Sequence, residues 1–214
     1  TLFPYTTLFR SYTQVHAFTG SAGMVGLKDL SEMAAALEVL LKSLHDIPKN
    51  INVSTLRTVA HALDFLERLL RCGSPTSLLA APAQILVVDD EILSRRAITF
   101  ALEKARLKCV SVDRPEVALS LMAETPFELV FTDVQMPGMD GFGLCTKIRA
   151  LPGHATTPVV FVTSLTDFNS RARSSLSGGN DFIAKPFLFI ELTVKALIHL
   201  MQRRMQPQPG SPPA

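Results

Sequence analysis

Tryptophan is absent from this 214-residue chain, tyrosine occurs twice and cysteine three times. Cys72, Cys109 and Cys145 are odd in number and widely spaced. They match neither a disulfide framework nor a zinc site, and buried free thiols in a reducing cytosol are expected. Charge of either sign is scarce: 21 Lys and Arg face 19 Asp and Glu, for a formal net charge of +2. That balance gives no bulk attraction for nucleic acid or for a membrane surface. No apolar run approaches the ~20 residues needed to span a bilayer, and no basic stretch followed by an apolar core marks a signal peptide. A Gly-rich run ending in Lys-Ser or Lys-Thr, which would cradle nucleotide phosphates, is missing. Neither a kinase ATP site nor a DNA-reading helix-turn-helix is expected, and a cytoplasmic location is. What is present is 47% hydrophobic residues, enough for one large core or two small ones.

The hydrophobic pattern changes along the chain. From Tyr12 to Arg71 it is helical, with Leu27, Leu30, Met33, Leu37, Leu40, Leu41 and Leu44 three or four apart. Asp29, with Glu32 three residues on, is the expected cap of this helix, and Pro48 follows its end. A second helix is expected after an N-cap at Ser54, with Leu56, Val59, Leu63, Leu66 and Leu70 in step and Gly73 as the stop. Cys72 to Ala83 is uncharged, with Gly, Ser, Pro and Ala, and reads as a linker. From Gln84 the runs ILVVD, KCVSVD, ELVFTD, PVVFVT and DFIA alternate with segments of helical length. Strands that are apolar throughout, alternating with helices, predict a parallel sheet covered on both faces. The fold class is a flavodoxin-like, doubly wound α/β domain over 84–203, preceded by an all-α helical unit. The Pro- and Gln-rich end, 204–214, is expected to be disordered.

In an open parallel sheet, ligands bind at the carboxyl ends of the strands. The first strand ends in Asp89-Asp90, the third in Asp133 and the fourth in Thr163-Ser164, while the fifth leads into Lys185-Pro186. Carboxylates crowded on one sheet edge repel each other unless a cation neutralises them, and hard oxygen ligands suit Mg²⁺. A hydroxyl and an ammonium beside them are the groups that stabilise phosphoryl oxygens. The constellation predicts metal-assisted phosphoryl chemistry on a carboxylate.

ILVVDDE, FTDVQMPGMDG, PVVFVTS and DFIAKP, in this order and spacing, resemble the response-regulator receiver domain of two-component signalling. The resemblance runs from Gln84 to about Arg203. It implies that Asp133 accepts a phosphoryl group from a phosphohistidine or a small donor. It also implies that Asp89, Asp90, Asp133 and the carbonyl of Gln135 hold Mg²⁺. Lys185 would pair with the phosphoryl oxygens, and Thr163 would donate its hydroxyl to them. Phe182 matches the family's aromatic switch position and, as Phe, has only ring packing to signal with. The implied partners are a histidine kinase or phosphotransfer protein as donor, and a downstream protein on the face of the fourth helix, fifth strand and fifth helix. Two other readings are weighed. A haloacid-dehalogenase-like phosphatase needs a second acid two residues after its nucleophile, and Asp133-Val134-Gln135 lacks it. A docking module with a receiver fold would work without phosphate, and the intact acidic cluster argues against it.

In the helical part, His16-Ala17-Phe18-Thr19-Gly20-Ser21-Ala22 resembles the histidine-phosphotransfer domain, a four-helix bundle. The resemblance makes His16 a phosphoryl carrier, with Thr19 standing where a Lys is common. Residues 12–71 would be a truncated form of that bundle, from a hybrid histidine kinase or a multidomain response regulator. His45, His61, His154 and His199 lack such context and are expected to be solvated or capping. The opening TLFPYTTLFRS shows no helix period and has strand-like propensity. Back-translated, it resembles an adapter used in preparing sequencing libraries. Residues 1–11 are therefore expected to be an assembly artefact, with a helix missing before His16.

Overall fold

The computed structural model describes residues 3–72, 77–164 and 178–206, with side chains described from residue 11 onward. The chain divides into two compact units, Thr1–Ala81 with Thr193–Ala214, and Pro82–Leu192.

In the helical unit, α1 spans Phe3–Met24, α2 Lys28–Asp46 and α3 Val53–Cys72, with a 3-10 turn at Pro48–Asn50. The opening residues therefore do not form a strand. From Phe3 they are the first turns of the helix that carries His16. Extending an existing helix costs far less than nucleating one, so a continuous helix overrides the weak β propensity of Thr and Phe. α2 buries Leu30, Met33, Leu37, Leu40, Leu41 and Leu44 as the pattern predicts, whereas Leu27 lies outside the helix and is exposed.

Both predicted caps differ. α2 begins without a side-chain cap, and the Asp29 carboxylate instead accepts from Ser77 Oγ (3.0 Å) and Leu78 N (2.7 Å). α3 is capped two residues earlier than Ser54. Asn52 Oδ1 accepts from Thr55 N, and Asn52 N donates to Thr55 Oγ1, both at 3.0 Å. This reciprocal pair satisfies two otherwise orphaned donors. The buried face of α3 holds Val59, Ala62, Phe65, Leu66 and Leu69, so Val59 and Leu66 fall as the pattern predicts, while Leu56, Leu63 and Leu70 are exposed. Two apolar stripes compete on this helix, and only packing selects between them. Cys72 is exposed rather than buried, and Gly73 lies outside the described residues.

In the α/β unit the strands are β1 (Ile85–Val88), β2 (Cys109–Val112), β3 (Leu129–Asp133), β4 (Val159–Ser164) and β5 (Asp181–Lys185). They form one parallel sheet in the order β2-β1-β3-β4-β5. The helices are α4 (Ile92–Lys104), α5 (Pro115–Glu124), α6 (Gly141–Ala150) and α7 (Phe189–Met205), which continues beyond this unit. β1 and β3 are buried throughout, as inner strands of a covered sheet must be. β2 is the exception to the predicted apolar runs. It lies at the sheet edge, and Val110 and Ser111 are exposed. A core of Leu86, Val130, Phe142, Phe161 and Phe182 fixes the strands relative to α6.

At the amino ends of the strands a polar network replaces the solvated histidine expected at 154. His154 is buried, with Nδ1 3.0 Å from Thr157 Oγ1 and Nε2 2.9 Å from the Met122 carbonyl oxygen. His199 is likewise buried rather than solvated. Arg149 on α6 donates to the carbonyls of Thr157 (2.6 Å) and Gly178 (2.7 Å) and to Asn180 Oδ1 (2.9 Å). Hydrogen bonding of this kind is what allows polar groups to be buried.

Candidate functional site

The three acidic positions meet at the carboxyl edge of the sheet. β1 and β3 are neighbours in register, Val88 opposite Thr132, so Asp89 and Asp133 emerge side by side. Oxygens of Asp89, Asp90 and Asp133 lie within 4.8 Å of one another. Asp89 is fully buried, Asp133 nearly so, and Asp90 is exposed. Lys185, ending β5, reaches across to both inner carboxylates, with Nζ 2.8 Å from Asp133 Oδ2 and 3.1 Å from Asp89 Oδ2. Partial burial of Lys185 works against its charge. The hydrogen bond and charge of Asp133, then those of Asp89, outweigh it and raise its pKa above the ordinary 10.5. The ammonium is thus retained at neutral pH.

Local backbone geometry aims the carboxylates. Asp133 Oδ1 accepts from Val134 N at 2.6 Å, and Thr132 Oγ1 donates to the Asp133 carbonyl at 2.9 Å. Asp89 Oδ1 accepts from Glu91 N (2.9 Å) and Oδ2 from Ser94 Oγ (2.6 Å). Arg95 Nη1 donates to the Asp89 carbonyl oxygen at 2.6 Å. The turn after β3 is closed by Gly141 N donating to Val134 O (3.0 Å), and Asp140 caps α6 by accepting from Gly143 N (2.7 Å). A Cβ on Gly141 would run into the carbonyl oxygen of Asp133. Only glycine permits that approach.

Thr163 is buried near the end of β4, one residue past Val162, the partner of Asp133, and it pairs with Ala184. Phe182 is buried in the core opposite Phe161. Gln135 is exposed, with its N–H 3.4 Å from Asp133 Oδ1. The donor set fits a hard divalent cation: three carboxylates converge, and a carboxylate oxygen that accepts one hydrogen bond keeps a free lone pair.

His16 sits on α1 in the helical unit, its Nδ1 2.8 Å from Glu38 Oε1. Thr19 Oγ1 donates to the Val15 carbonyl oxygen (2.8 Å), one turn back on its own helix.

Sequence reasoning missed Ser94, Arg95, Gly141 and Glu38. Ser94 and Gly141 lie in the first turns of helices that follow Asp-bearing strand ends, a signal that was available. Glu38 is 22 residues from His16 on another helix, and no local pattern marks it.

A family profile for the response regulator receiver domain matches residues 85–197. Transcriptional regulatory protein SrrA of Staphylococcus aureus is 33% identical over 121 residues, which is 56% of this chain and 49% of SrrA. The chain thus spans about half the length of the curated relatives it matches. A putative response regulator from Chloroflexus aurantiacus superposes with a TM-score of 0.54 at 28% identity, over 56% of this chain and 98% of that one. The receiver domain of sensor histidine kinase PA1611 from Pseudomonas aeruginosa, solved with a magnesium ion coordinated in its active site cleft, shares the fold. Its TM-score is 0.51 at 24% identity, over 55% of this chain and 98% of that one. The acidic cluster is consistent with a Mg²⁺-dependent phosphoaccepting site in a receiver module. Among the described residues no helix is long and apolar enough to cross a membrane. With residues 85–197 matched and five parallel strands in the order β2-β1-β3-β4-β5, the chain belongs to the response regulator receiver family.

Proposed function

We propose that the chain relays phosphoryl groups in signal transduction, with Asp133 as the acceptor of the receiver. The observation that carries this reading is Lys185 Nζ held between Asp133 Oδ2 and Asp89 Oδ2. A carboxylate oxygen of Asp133 forms the new O–P bond. The donor's bond to phosphorus breaks, and its leaving group departs with the electron pair. Lys185 then pairs with a phosphoryl oxygen, and the Thr163 hydroxyl donates to another. Asp89, Asp90 and Asp133, with the Gln135 carbonyl, would hold Mg²⁺, which when bound neutralises charge between the anionic acceptor and the anionic phosphoryl group. Phe182 is the switch residue of this reading, and its burial supports a signal made by ring packing alone.

The test is incubation of the chain with acetyl phosphate and Mg²⁺, followed by intact mass. A Mg²⁺-dependent gain of one phosphoryl group, lost in Asp133→Asn, is expected. Equal modification of both proteins overturns the assignment.

Within the same reading, His16 is a second phosphoryl carrier in a histidine-phosphotransfer-like unit over residues 12–71, and its exposed ring supports this. The proposed boundaries are a linker over 72–83, a receiver over 84–203 and a tail over 204–214. Arg204 and Met205, expected to be disordered, nevertheless belong to α7, where Arg204 donates to the carbonyls of Leu78 and Ala81. The donor would be a histidine kinase or a phosphotransfer protein. The downstream partner would dock on the fourth receiver helix, the fifth strand and the fifth helix. The stretch between β4 and β5 to which this expectation assigns the fourth helix, 165–177, lies outside the described residues. The likeness of residues 1–11 to a translated adapter is tested by sequencing the gene from genomic DNA.

A further inference from the structure

We infer that Ser94 is a positioning residue for the cation site: its hydroxyl fixes the Asp89 carboxylate so that one particular oxygen stays available to Mg²⁺. The inference rests on the reading of Asp89, Asp90 and Asp133 as Mg²⁺ ligands of the receiver. The two oxygens of Asp89 are not equivalent. Oδ2 accepts from Ser94 Oγ at 2.6 Å and from Lys185 Nζ at 3.1 Å. Among the described residues, Oδ1 accepts only from Glu91 N, at 2.9 Å. A carboxylate oxygen offers about two lone pairs. Both of those on Oδ2 are engaged, so the one left for a cation is on Oδ1.

Placement in the helix supports this role. Ser94 lies in the first turn of α4 and is buried. A serine or threonine inside a helix can return its hydroxyl to a carbonyl of the preceding turn. Ser120 Oγ does so with Glu116 O (3.1 Å), and Thr146 Oγ1 with Phe142 O (3.0 Å). Ser94 instead reaches out of its helix to a fully buried carboxylate, in a short charge-assisted hydrogen bond. Arg95 Nη1 holds the Asp89 carbonyl oxygen separately, at 2.6 Å. Removing the Ser94 hydroxyl therefore frees the carboxylate without releasing the strand end that carries it.

Ser94 and Lys185 share Oδ2 but differ in charge. Lys185 also donates to Asp133 Oδ2 (2.8 Å), and in the proposed reading it turns to a phosphoryl oxygen. The Ser94 hydroxyl is neutral and keeps Asp89 in one orientation whether or not Lys185 stays. Without it, Lys185 becomes the sole donor to Oδ2. Asp89 can then rotate to offer either oxygen to the ammonium, the group with which Mg²⁺ competes. Hydrogen bonds that orient ligating carboxylates in this way govern metal affinity by about tenfold or more.

The test is calorimetric titration of the full chain with Mg²⁺ alone, in wild type, Ser94→Ala, Ser94→Cys, Ser94→Thr and Arg149→Ala. Thermal melts in chelator report separately on folding. Ser94→Ala should bind Mg²⁺ about tenfold more weakly than wild type. Ser94→Cys, of similar shape but with a weak donor, should fall between the two, and it carries the test if Ser94→Ala does not fold. Ser94→Thr, which keeps the hydroxyl, should recover most of the affinity. Arg149→Ala lowers stability at the other end of the sheet and should leave Mg²⁺ affinity at the wild-type value, which separates loss of positioning from loss of fold. Binding by Ser94→Ala and Ser94→Cys as tight as wild type, or a loss in Arg149→Ala as large as theirs, overturns the role of Ser94 and leaves the cation-site reading intact. Failure of folded wild type to bind millimolar Mg²⁺ overturns the cation-site reading itself.

Discussion

Lys185 Nζ stands 2.8 Å from Asp133 Oδ2 and 3.1 Å from Asp89 Oδ2, so one ammonium serves two carboxylates that would otherwise face each other uncompensated. The arrangement joins the ends of β1, β3 and β5 into one electrostatic unit. It also makes the site's stability depend on whichever cation is present.

Replacing Lys185 by Met should therefore destabilise the chain by about 1–3 kcal/mol in urea titrations with chelator, since a buried carboxylate pair loses its counter-ion. Added Mg²⁺ should restore more stability to Lys185→Met than to wild type. Equal Mg²⁺ responses in the two proteins would contradict a shared cation site.

Gly141→Ala should cost about 1–3 kcal/mol, because the new methyl meets the backbone of Asp133 rather than a flexible side chain. Since the backbone that must shift is that of the acceptor, acetyl phosphate labelling should fall together with stability. Gly20→Ala, where a Cβ meets open space inside α1, is the control: it should raise stability by about 0.5–1 kcal/mol rather than lower it, and leave labelling unchanged.

Arg149→Ala should destabilise the receiver by about 2–4 kcal/mol, as its guanidinium serves the carbonyls of Thr157 and Gly178 and the amide oxygen of Asn180 together. Arg149→Lys should rescue little, since a point charge cannot reproduce the planar fork. Thermal melts of both variants check this.

Alkali should weaken the fold. Burial, aided by the charge of Glu103, pushes the Cys109 thiol from 9.0 up to about 11. The Lys185 pKa is raised above 10.5. Both groups hold protons in the native state that the unfolded chain releases earlier. Their contribution is complete below pH 9 and is lost as pH rises through about 11 and beyond. Urea midpoints measured from pH 8 to pH 11 should fall across that interval. At pH 8 a thiol reagent should modify exposed Cys72 well before Cys109 and buried Cys145.

Asp89, Asp133 and Lys185 were legible in the sequence because a parallel α/β sheet converts position along the chain into position in space. Every strand delivers its carboxyl end to one edge, so residues 44 or 52 apart in sequence arrive together once the strand ends are recognised. The same logic located Thr163 and Phe182 on their strands, and the 3.6-residue period placed the buried face of α2. Ser94 and Gly141 were readable only in part, since their roles depend on the helix beginning within reach of Asp89 or Asp133.

The amino-acid order by itself determined the strand-helix alternation and the convergence of the acidic residues, because periodicity and strand ends are local properties of the chain. Tertiary structure alone decided the rest. It selected the buried stripe of α3, turned Asp29 from an expected helix cap into the acceptor for Ser77 and Leu78, enclosed His154 in a satisfied network, and brought Glu38 to His16. In each of those cases a polar or apolar group had several local options of similar energy. The partner that settled the choice came from a distant segment, which no local pattern encodes.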